Sequence, residues 1–421
     1  MRTLRVGILG VGGRGKAFYK NVLSNNGQIV AACDVWEPFL EKARENWGND
    51  ISTYTDFDEM INNEKLDVVV LSNYFHEHAP YAIKALEKNI NVLSECTSNA
   101  TMAQGVALVR AAAKSKAFYM LAENYPYMRH NRELKKLYDG GTMGDFLYGE
   151  GEYNHPFSPH NLSELKSLRP HSKHWRYNIP RTYYVTHSLA PLISITGAVP
   201  KKVFALPIST GEPITYDGGI SCGVIERAAI IITQNDDNSV YRLTGTAAFG
   251  GHECSTRICC TKAQAESLRD GSHKISLHYN EWDKPEELES NEVSYVPEWP
   301  KEQRELIEAA GHGGGDFIVI REFFAAIREN RKPEFDEYFA TTLASVGILA
   351  HRSMLEGGKA YDIPDFHNEE DLKKYENDHL TPFYGSDGST PTIAPSLSTV
   401  NFTPEDMARY DAVLAEIDPS K

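Results

Sequence analysis

The chain has 421 residues, of which 41% are hydrophobic and 24% are charged, which is ordinary for a globular enzyme and long enough for two domains. Its formal net charge of -15 argues against nucleic acid or an anionic membrane surface as a partner. No apolar run reaches the ~18 residues of a membrane span, and no signal peptide precedes the first strand, so we expect a cytoplasmic protein.

The first element is an apolar strand at 4–9, which runs into a glycine-rich turn and then a helical run at 16–23. The turn fits the pattern G-x-G-x-x-G, with Gly10, Gly12, Gly13, Arg14 and Gly15 as its main residues. Such glycines allow a tight turn, close approach to a pyrophosphate and close helix packing, while the helix N-terminus offers free N–H groups to the anion. The turn therefore predicts a dinucleotide site.

Asp34 follows the second apolar strand, at 28–33, about 20 residues after the turn. A carboxylate there would accept hydrogen bonds from ribose hydroxyls and repel a 2′-phosphate, so the sequence favours NAD over NADP. Arg14 inside the turn could also bind a 2′-phosphate, so NADP remains an alternative.

Strands and helices alternate over the first 125 residues, which predicts a doubly wound parallel sheet with helices on both faces. The further strands expected there are 67–72, 91–94 and 117–121, and the helices are 37–47, 78–88 and 100–114. The alternation then stops, and β-rich stretches follow at 146–154, 201–207, 228–234, 239–246 and 255–260. Helices are expected from near His187, at 315–329 and at 338–356, which together predict a mixed α+β region with a large sheet.

We therefore expect an α/β fold with a nucleotide-binding domain at 1–124 and a substrate-binding α+β domain at 125–365. A polar extension at 366–421 would wrap the body or a neighbouring subunit. The six cysteines form no C-x-x-C pair, so the spacing predicts buried thiols and no metal site.

Polar side chains follow the predicted strands, at the sheet edge where a nucleotide would lie. Asn73 is a candidate cofactor contact, and His78 either shares that role or simply begins the next helix. Glu95 ends a buried strand, where a lone carboxylate needs a partner such as the nicotinamide ribose or a helix N-terminus. Glu123 and Asn124 follow the last strand of this region, and Asn124 is a further candidate cofactor contact.

Proton-handling side chains occur at two later places. Strand alternation puts Tyr153 and His155 on one face of 146–154, which could be a site or ordinary packing. His187 follows an aromatic stretch that includes Tyr184 and opens an apolar helix, whose positive end favours a neutral, basic imidazole. A structural histidine is the alternative.

Two loops could set substrate specificity. Trp175 and Arg176 belong to a basic cluster that could bind a hydroxylated or anionic substrate, with the indole stacked on a sugar. Alternatively, the cluster is a solvated loop or an oligomer contact. The other members of this cluster are Arg169, His171, Lys173 and His174. His312 lies in the glycine-rich loop 311–316, which would let a ligand approach closely or would only cap a helix.

Taken together, these residues resemble the Gfo/Idh/MocA oxidoreductase family, an N-terminal Rossmann domain followed by an α+β domain. The resemblance covers nearly the whole chain to about residue 365. That family has Glu-Lys-Pro after the fifth strand, with the lysine as catalytic acid/base, whereas this chain has Glu95, Cys96 and Thr97. The family's aspartate four residues before the active-site histidine is replaced by Tyr183.

The NAD-dependent glycosidases of glycoside hydrolase family 109 resemble the chain more closely, since they also lack the lysine. The matching stretches are 123–124, 150–155, 186–191 and 311–316. The resemblance implies NAD as cofactor, a small glycoside as substrate, a homo-oligomer, and Tyr153 and His187 as the proton-handling pair. The site residues assigned to substrate are Glu123, His155, Trp175, Arg176, Tyr184 and His312. A sugar or inositol dehydrogenase and a non-catalytic NAD sensor remain as alternatives.

Overall fold

Two β-sheets organise the protein, one in each half of the chain. The computed structural model describes residues 2–48, 50–156, 174–216, 220–398, 400, 403–406, 408, 409 and 412. The first sheet is built from the N-terminal residues and the second from residues after 145.

The first sheet is parallel and has the strand order β3-β2-β1-β4-β5-β6. Its strands are β1 (Leu4–Leu9), β2 (Gly27–Cys33), β3 (Ser52–Tyr54), β4 (Val68–Leu71), β5 (Asn91–Ser94) and β6 (Tyr119–Leu121). The helices between them are α1 (Gly13–Ser24), α2 (Glu37–Trp47), α3 (Phe57–Asn63), α4 (His78–Glu87) and α5 (Met102–Lys114). The chain order reverses between β1 and β4, which is where doubly wound sheets bind nucleotides.

The local chemistry explains why these elements form where they do. All residues of β4 are buried, so its four-residue apolar run is covered by helices on both faces. Helix α5 begins with a capping box, in which Thr101 and Gln104 satisfy each other's backbone N–H groups. The predicted doubly wound sheet is confirmed. The sequence analysis missed β3 and α3. A three-residue, half-buried edge strand such as β3 carries almost no hydrophobic signal.

The second sheet is mixed and has the order β16-β15-β14-β13-β7-β12-β11-β8-β17. Its strands are β7 (Phe146–Asn154), β8 (Pro200–Ser209), β11 (Glu226–Asn235), β12 (Val240–Ala247), β13 (Glu253–Cys260), β14 (Ala263–Ser267), β15 (Ile275–Tyr279), β16 (Glu292–Tyr295) and β17 (Tyr361–Asp362). A small separate hairpin pairs β9 (Thr215–Tyr216) with β10 (Ile220–Ser221). Strand β7 is parallel to β12 and antiparallel to β13, so the large mixed sheet is confirmed.

The helices of this half cover the sheet and connect it to the first one. They are α6 (Arg129–Asp139), α7 (Trp175–Asn178), α8 (Thr186–Thr196), α9 (Arg304–Glu308), α10 (Gly315–Glu329), α11 (Glu337–Leu355) and α12 (Glu369–Tyr375). Short 3₁₀ turns lie at Tyr125–Tyr127, Lys301–Gln303 and His312–Gly314. Helix α10 packs on α1, and α11 packs on both β8 and α5, so the two halves share one core.

Helix α8 lies close against β7 because a glycine faces it. A Cβ at Gly151 would lie 2.0 Å from the carbonyl oxygen of Ser188, so no larger residue fits there without moving the helix. This contact fixes the start of α8 over the strand that carries Tyr153.

The described part of the C-terminal extension packs against the body. Phe383 is 2% exposed and stacks on His76, with ring centroids 4.9 Å apart. Arg352 on α11 forms an ion pair with Asp378 at 2.6 Å. Among the helices that the structure describes, none is both long enough and apolar enough to cross a membrane.

Candidate active site

The glycine-rich turn between β1 and α1 leaves room for an anion. Gly10 has a φ of +83°, and a Cβ at Gly15 would lie 2.0 Å from the carbonyl oxygen of Gly10, so both positions require glycine. A Cβ at Gly13 would meet nothing within 4 Å. Helix α1 begins there, after Gly12, with no side-chain cap and no acidic residue in its first turn. The open space and the free N–H groups fit the pyrophosphate of NAD.

Asp34 lies directly after β2 and is held by two backbone groups. Its carboxylate accepts hydrogen bonds from the N–H of Val11 at 2.9 Å and of Trp36 at 3.0 Å. Burial raises the pKa of Asp34, and these two bonds partly offset that effect. Since each carboxylate oxygen has a second lone pair, Asp34 can still accept hydrogen bonds from ribose hydroxyls.

Asn73 and His78 follow β4. Both polar atoms of the Asn73 amide are buried and have no hydrogen-bond partner among the described residues. A buried amide without partners is costly, so Asn73 is ready to contact a bound molecule. His78 is 1% exposed, and its Nδ1 lies 2.8 Å from the carbonyl oxygen of Thr97. His78 thus joins two loops at this edge, and its contact with the cofactor stays a prediction.

Arg14 connects the glycine-rich turn to two carboxylates. Its Nε lies 2.5 Å from Glu95, and its terminal nitrogens bind both oxygens of Asp316 at 2.9 Å. Asp316, in the first turn of α10, also accepts a hydrogen bond from Asn124 at 2.7 Å and lies 3.0 Å from Nδ1 of His312. Because two carboxylates already pair with Arg14, its guanidinium is less suited to bind a 2′-phosphate. The site therefore favours NAD over NADP.

This network stabilises charge inside the protein. Burial alone would raise the pKa of Asp316, but the hydrogen bonds from His312 and Arg14 hold it well below its usual range. Asp316 therefore stays ionised, and the network ties together the turn, the end of β5 and α10.

A second group of side chains gathers where β6, β7 and α8 meet. His187, the second residue of α8, stacks on Tyr125 with ring centroids 4.1 Å apart. Tyr153 on β7 meets His187 edge-on at 4.7 Å and stacks on Tyr184 at 5.6 Å. We call Tyr125, Tyr153, Tyr184 and His187 the aromatic cluster. The structure thus brings together the tyrosine and the imidazole that the resemblance singled out.

Glu123 lies behind His187. It is 0% exposed, one oxygen lies 2.7 Å from Nδ1 of His187, and the other accepts a hydrogen bond from the thiol of Cys96 at 3.2 Å. Burial acts to raise the pKa of Glu123, but the neighbouring His187 and the hydrogen bonds lower it overall. Protein groups thus engage both oxygens of Glu123, and its contact with substrate stays a prediction.

The tyrosines of the aromatic cluster are held protonated. Burial raises the pKa of Tyr184 to about 12 and the pKa of Tyr153 well above its usual value. Both phenols can therefore donate hydrogen bonds at neutral pH. Just beyond β7, burial lowers the pKa of His155 to about 4, so that its ring is neutral. The His155 ring lies 5.8 Å from that of Tyr153.

The predicted specificity residues lie beside this cluster. Trp175 stacks on Phe75 with centroids 5.1 Å apart, and the guanidinium of Arg176 lies 5.3 Å from the Trp175 ring. Phe75 also stacks on Tyr184 at 5.2 Å. The stacking of Trp175 on a sugar stays a prediction. Of the other members of the basic cluster, His174 is buried against Tyr74, with ring centroids 5.0 Å apart, and Arg169, His171 and Lys173 lie outside the described residues.

Sequence reasoning missed two members of this site. Tyr125 received no role from the sequence, although its position just after β6 places it at the same edge of the sheet as the other site residues. Cys96 was noted only as a departure from a lysine. Its contact with Glu123 joins residues from two strand ends, and no spacing rule predicts such a contact.

Comparison with known families identifies both halves. Residues 4–123 match the family model described as "Oxidoreductase family, NAD-binding Rossmann fold". Residues 265–372 match the family model described as "Glycosyl hydrolase 109, C-terminal domain".

Curated relatives extend over most of the chain. A "Glycosyl hydrolase family 109 protein 1" from Shewanella sp. (strain ANA-3) is 23% identical over 407 residues, covering 87% of this chain and 85% of the relative. A protein named "Alpha-N-acetylgalactosaminidase" from Shewanella oneidensis is 22% identical with the same coverage.

Solved structures share the fold. Levoglucosan dehydrogenase in complex with NADH and L-sorbose has a TM-score of 0.73 at 17% identity, covering 87% of this chain and 100% of that one. The myo-inositol 2-dehydrogenase from Lactobacillus plantarum has a TM-score of 0.65 at 16% identity, covering 86% and 100%. These matches confirm the resemblance found in the sequence: the protein is an NAD-dependent enzyme that acts on sugars, and it is similar to the oxidoreductase family over its Rossmann domain and to glycosyl hydrolase family 109 over residues 265–372.

Proposed function

We propose that this enzyme is a glycosidase that cleaves a small glycoside through transient oxidation of the sugar at C3. The observation that carries the proposal is the site's composition. Where a sugar dehydrogenase of the family would have a lysine, this chain has Cys96, and next to it lie the buried Glu123–His187 pair and Tyr153. Bound NAD would supply the reversible oxidation of the C3 hydroxyl.

The residues proposed to hold NAD are those of the glycine-rich turn and the adjoining strand ends. The turn and the start of α1 would bind the pyrophosphate, and Asp34 the ribose hydroxyls. The Asn73 amide, which has no hydrogen-bond partner within the described part of the chain, lies at the same edge of the sheet. The Arg14 network would fix the turn and the end of β5 relative to each other.

His187 is proposed to accept the proton from C2 of the sugar. A ketone at C3 makes that proton acidic, and general-base catalysis of such a step contributes about 10²–10⁴-fold in rate. The hydrogen bond to Glu123 keeps the proton of the neutral imidazole on Nδ1, which leaves Nε2 as the acceptor.

Tyr153 is proposed to assist departure of the aglycone. Its phenol is protonated and can donate to the glycosidic oxygen as the C1–O bond breaks and the C1–C2 double bond forms. Water then adds across that double bond, with its oxygen at C1 and its proton at C2. Reduction at C3 returns the hydroxyl, so the net reaction is hydrolysis and the cofactor ends unchanged.

The relatives guide the choice of a first substrate. One relative covering most of the chain is named "Alpha-N-acetylgalactosaminidase", so aryl α-N-acetylgalactosaminide is the first glycoside to try. The structural neighbours favour a second candidate, because levoglucosan dehydrogenase and myo-inositol 2-dehydrogenase share the fold. In a dehydrogenase, His187 would take the hydroxyl proton, and NADH would accumulate.

One experiment separates these functions. The enzyme is incubated with a panel of aryl glycosides of both anomers in D2O, and aglycone release, deuterium at C2 and NADH absorbance are followed together. The proposal expects aglycone release with deuterium at C2 and no accumulation of NADH. Accumulating NADH with intact glycoside would favour the dehydrogenase, and NAD binding without either reaction would favour a sensor. Tyr153→Phe with undiminished turnover would refute the role given to that phenol.

A further inference from the structure

Three different metal-ligating atoms converge behind the aromatic cluster. The thiol sulfur of Cys96, a carboxylate oxygen of Glu123 and a ring nitrogen of His187 all lie within 4.8 Å of one another. Cys96 and Glu123 are buried, and the His187 side chain is 10% exposed, so the group has one edge towards the site. We call these three residues the Cys–Glu–His trio.

Two spacings within the trio are close to those between ligands of a metal centre. The sulfur lies 3.2 Å from one Glu123 oxygen, and Nδ1 of His187 lies 2.7 Å from the other. Zinc bonds of about 2.0 Å to nitrogen or oxygen and about 2.3 Å to sulfur put tetrahedral ligands roughly 3.3–3.6 Å apart. Small side-chain shifts would therefore open the trio enough to hold an ion.

The charge and chemistry of the trio select a class of ion. A thiolate and a carboxylate together balance a divalent cation, so the loaded site would be electrically neutral in a buried place. Sulfur and imidazole ligands favour zinc and similar transition metals over magnesium or calcium. Three protein ligands also leave a fourth position for water.

We propose that the Cys–Glu–His trio binds one Zn²⁺ or similar thiophilic divalent cation per chain, and that this binding inactivates the enzyme. On binding, the thiol releases its proton to solvent, and the sulfur bonds to the metal. The neutral imidazole keeps one proton, which moves to Nε2 when Nδ1 bonds to the metal. His187 then has no free nitrogen to accept a proton and loses its hydrogen bond to Glu123.

Metal binding can be tested without any substrate, so its result is independent of the proposed function. Apo-protein is titrated with Co²⁺ alone, and the near-ultraviolet charge-transfer band of a cobalt–thiolate bond is recorded. We expect one equivalent of Co²⁺ to produce the band, one equivalent of Zn²⁺ to abolish it, and excess Mg²⁺ to leave it unchanged.

Three variants locate the site. Cys96→Ala should lose the band, whereas Cys260→Ala, which removes a half-buried thiol on β13 outside the trio, should keep it. Glu123→Gln should keep the sulfur but weaken Zn²⁺ binding by at least about tenfold, because a neutral amide is a poorer ligand. Thermal unfolding and NAD titration of each variant verify that it is folded.

Three results would overturn the inference. They are absence of a cobalt–thiolate band in the folded wild type, survival of the band in folded Cys96→Ala, and loss of the band in Cys260→Ala. The inactivation is measured separately, on whichever reaction the enzyme catalyses. One equivalent of Zn²⁺ should reduce the wild-type rate more than tenfold, and an undiminished rate with Zn²⁺ bound would refute it.

Discussion

The cofactor edge, which comprises the glycine-rich turn, Asp34, Asn73 and the Arg14 network, lies beside the aromatic cluster but is built in the opposite way. The cofactor edge uses backbone N–H groups and an ionised network in which Arg14 neutralises Glu95 and Asp316. The aromatic cluster uses buried rings, with the buried carboxylate of Glu123 behind them.

This contrast indicates that cofactor binding and proton transfer depend on different parts of the protein. A diphosphate is recognised by N–H groups whose positions are fixed by a turn, so side-chain identity matters little there except at the glycines. Proton transfer needs specific side chains in a place with little water. Changes at one region should therefore alter cofactor binding or stability, and changes at the other should alter turnover.

The largest expected effect tests that separation directly. His187→Ala should lower kcat by about 10²–10⁴-fold, because it removes the proposed proton acceptor, while leaving NAD affinity within about twofold. Initial rates and NAD titration of the same preparation measure both quantities, with the exposed His379→Ala as control. An equal loss of NAD affinity would show that the two regions are not separable.

The next effect concerns the ionised network. Arg14→Met should lower the free energy of unfolding by about 3 kcal/mol, since it leaves Glu95 and Asp316 charged and without their partner. It should also weaken NAD binding. Chemical denaturation measures the stability, and Arg304→Met, which removes an exposed ion pair with Glu298, should change it by less than about 1 kcal/mol. The double variant with Asp316→Asn should be less destabilised than the sum of the single variants.

Acid should protonate two buried groups, His351 and Asp316, at different pH values. Burial lowers the pKa of His351, on α11, from 6.5 to about 4, whereas Asp316 stays ionised to far lower pH. Between pH 6.5 and 4 the unfolded chain binds a proton at this position that the folded protein does not. The free energy of unfolding therefore falls as the pH falls, by at most about 1.4 kcal/mol per pH unit for this residue.

Denaturation of the wild type and of His351→Gln across this range measures that slope. The variant should show a shallower dependence, although it is less stable at pH 7 if its contact with the Ala394 carbonyl is lost. Parallel slopes for the two proteins would contradict the assignment to His351.

The smallest effect concerns cofactor choice. Asp34→Asn removes the negative charge that would repel a 2′-phosphate, so the ratio of NADP to NAD affinity should rise by about tenfold, or about 1.4 kcal/mol. Titration with both dinucleotides measures this ratio. Because Asp34 also accepts hydrogen bonds from Val11 and Trp36, a thermal melt must show that the turn is intact. An unchanged ratio would mean that Asp34 does not face the ribose.

The sequence predicted the cofactor edge more completely than the chemical site. Gly10, Gly15 and Asp34 lie at positions that a short-range spacing rule relates to a strand, a turn and a helix. The long α-helices α2 and α10 were predicted with their observed ends, since apolar periodicity and flanking signals act within one element. The edge strand β3 was missed, because three residues are too few to show a period.

The dinucleotide turn, the strand–helix alternation of the first sheet and the proton-handling side chains of Tyr153 and His187 can all be read from local sequence. Three contacts are visible only in the tertiary structure: Glu123 lies behind His187, the Cys96 thiol donates to the same carboxylate, and Arg14 binds Asp316. These contacts join residues far apart in the chain, and their geometry depends on how the two sheets and α10 pack together. No pattern within one element encodes that packing, whereas a turn and a helix start are fixed by neighbouring residues alone.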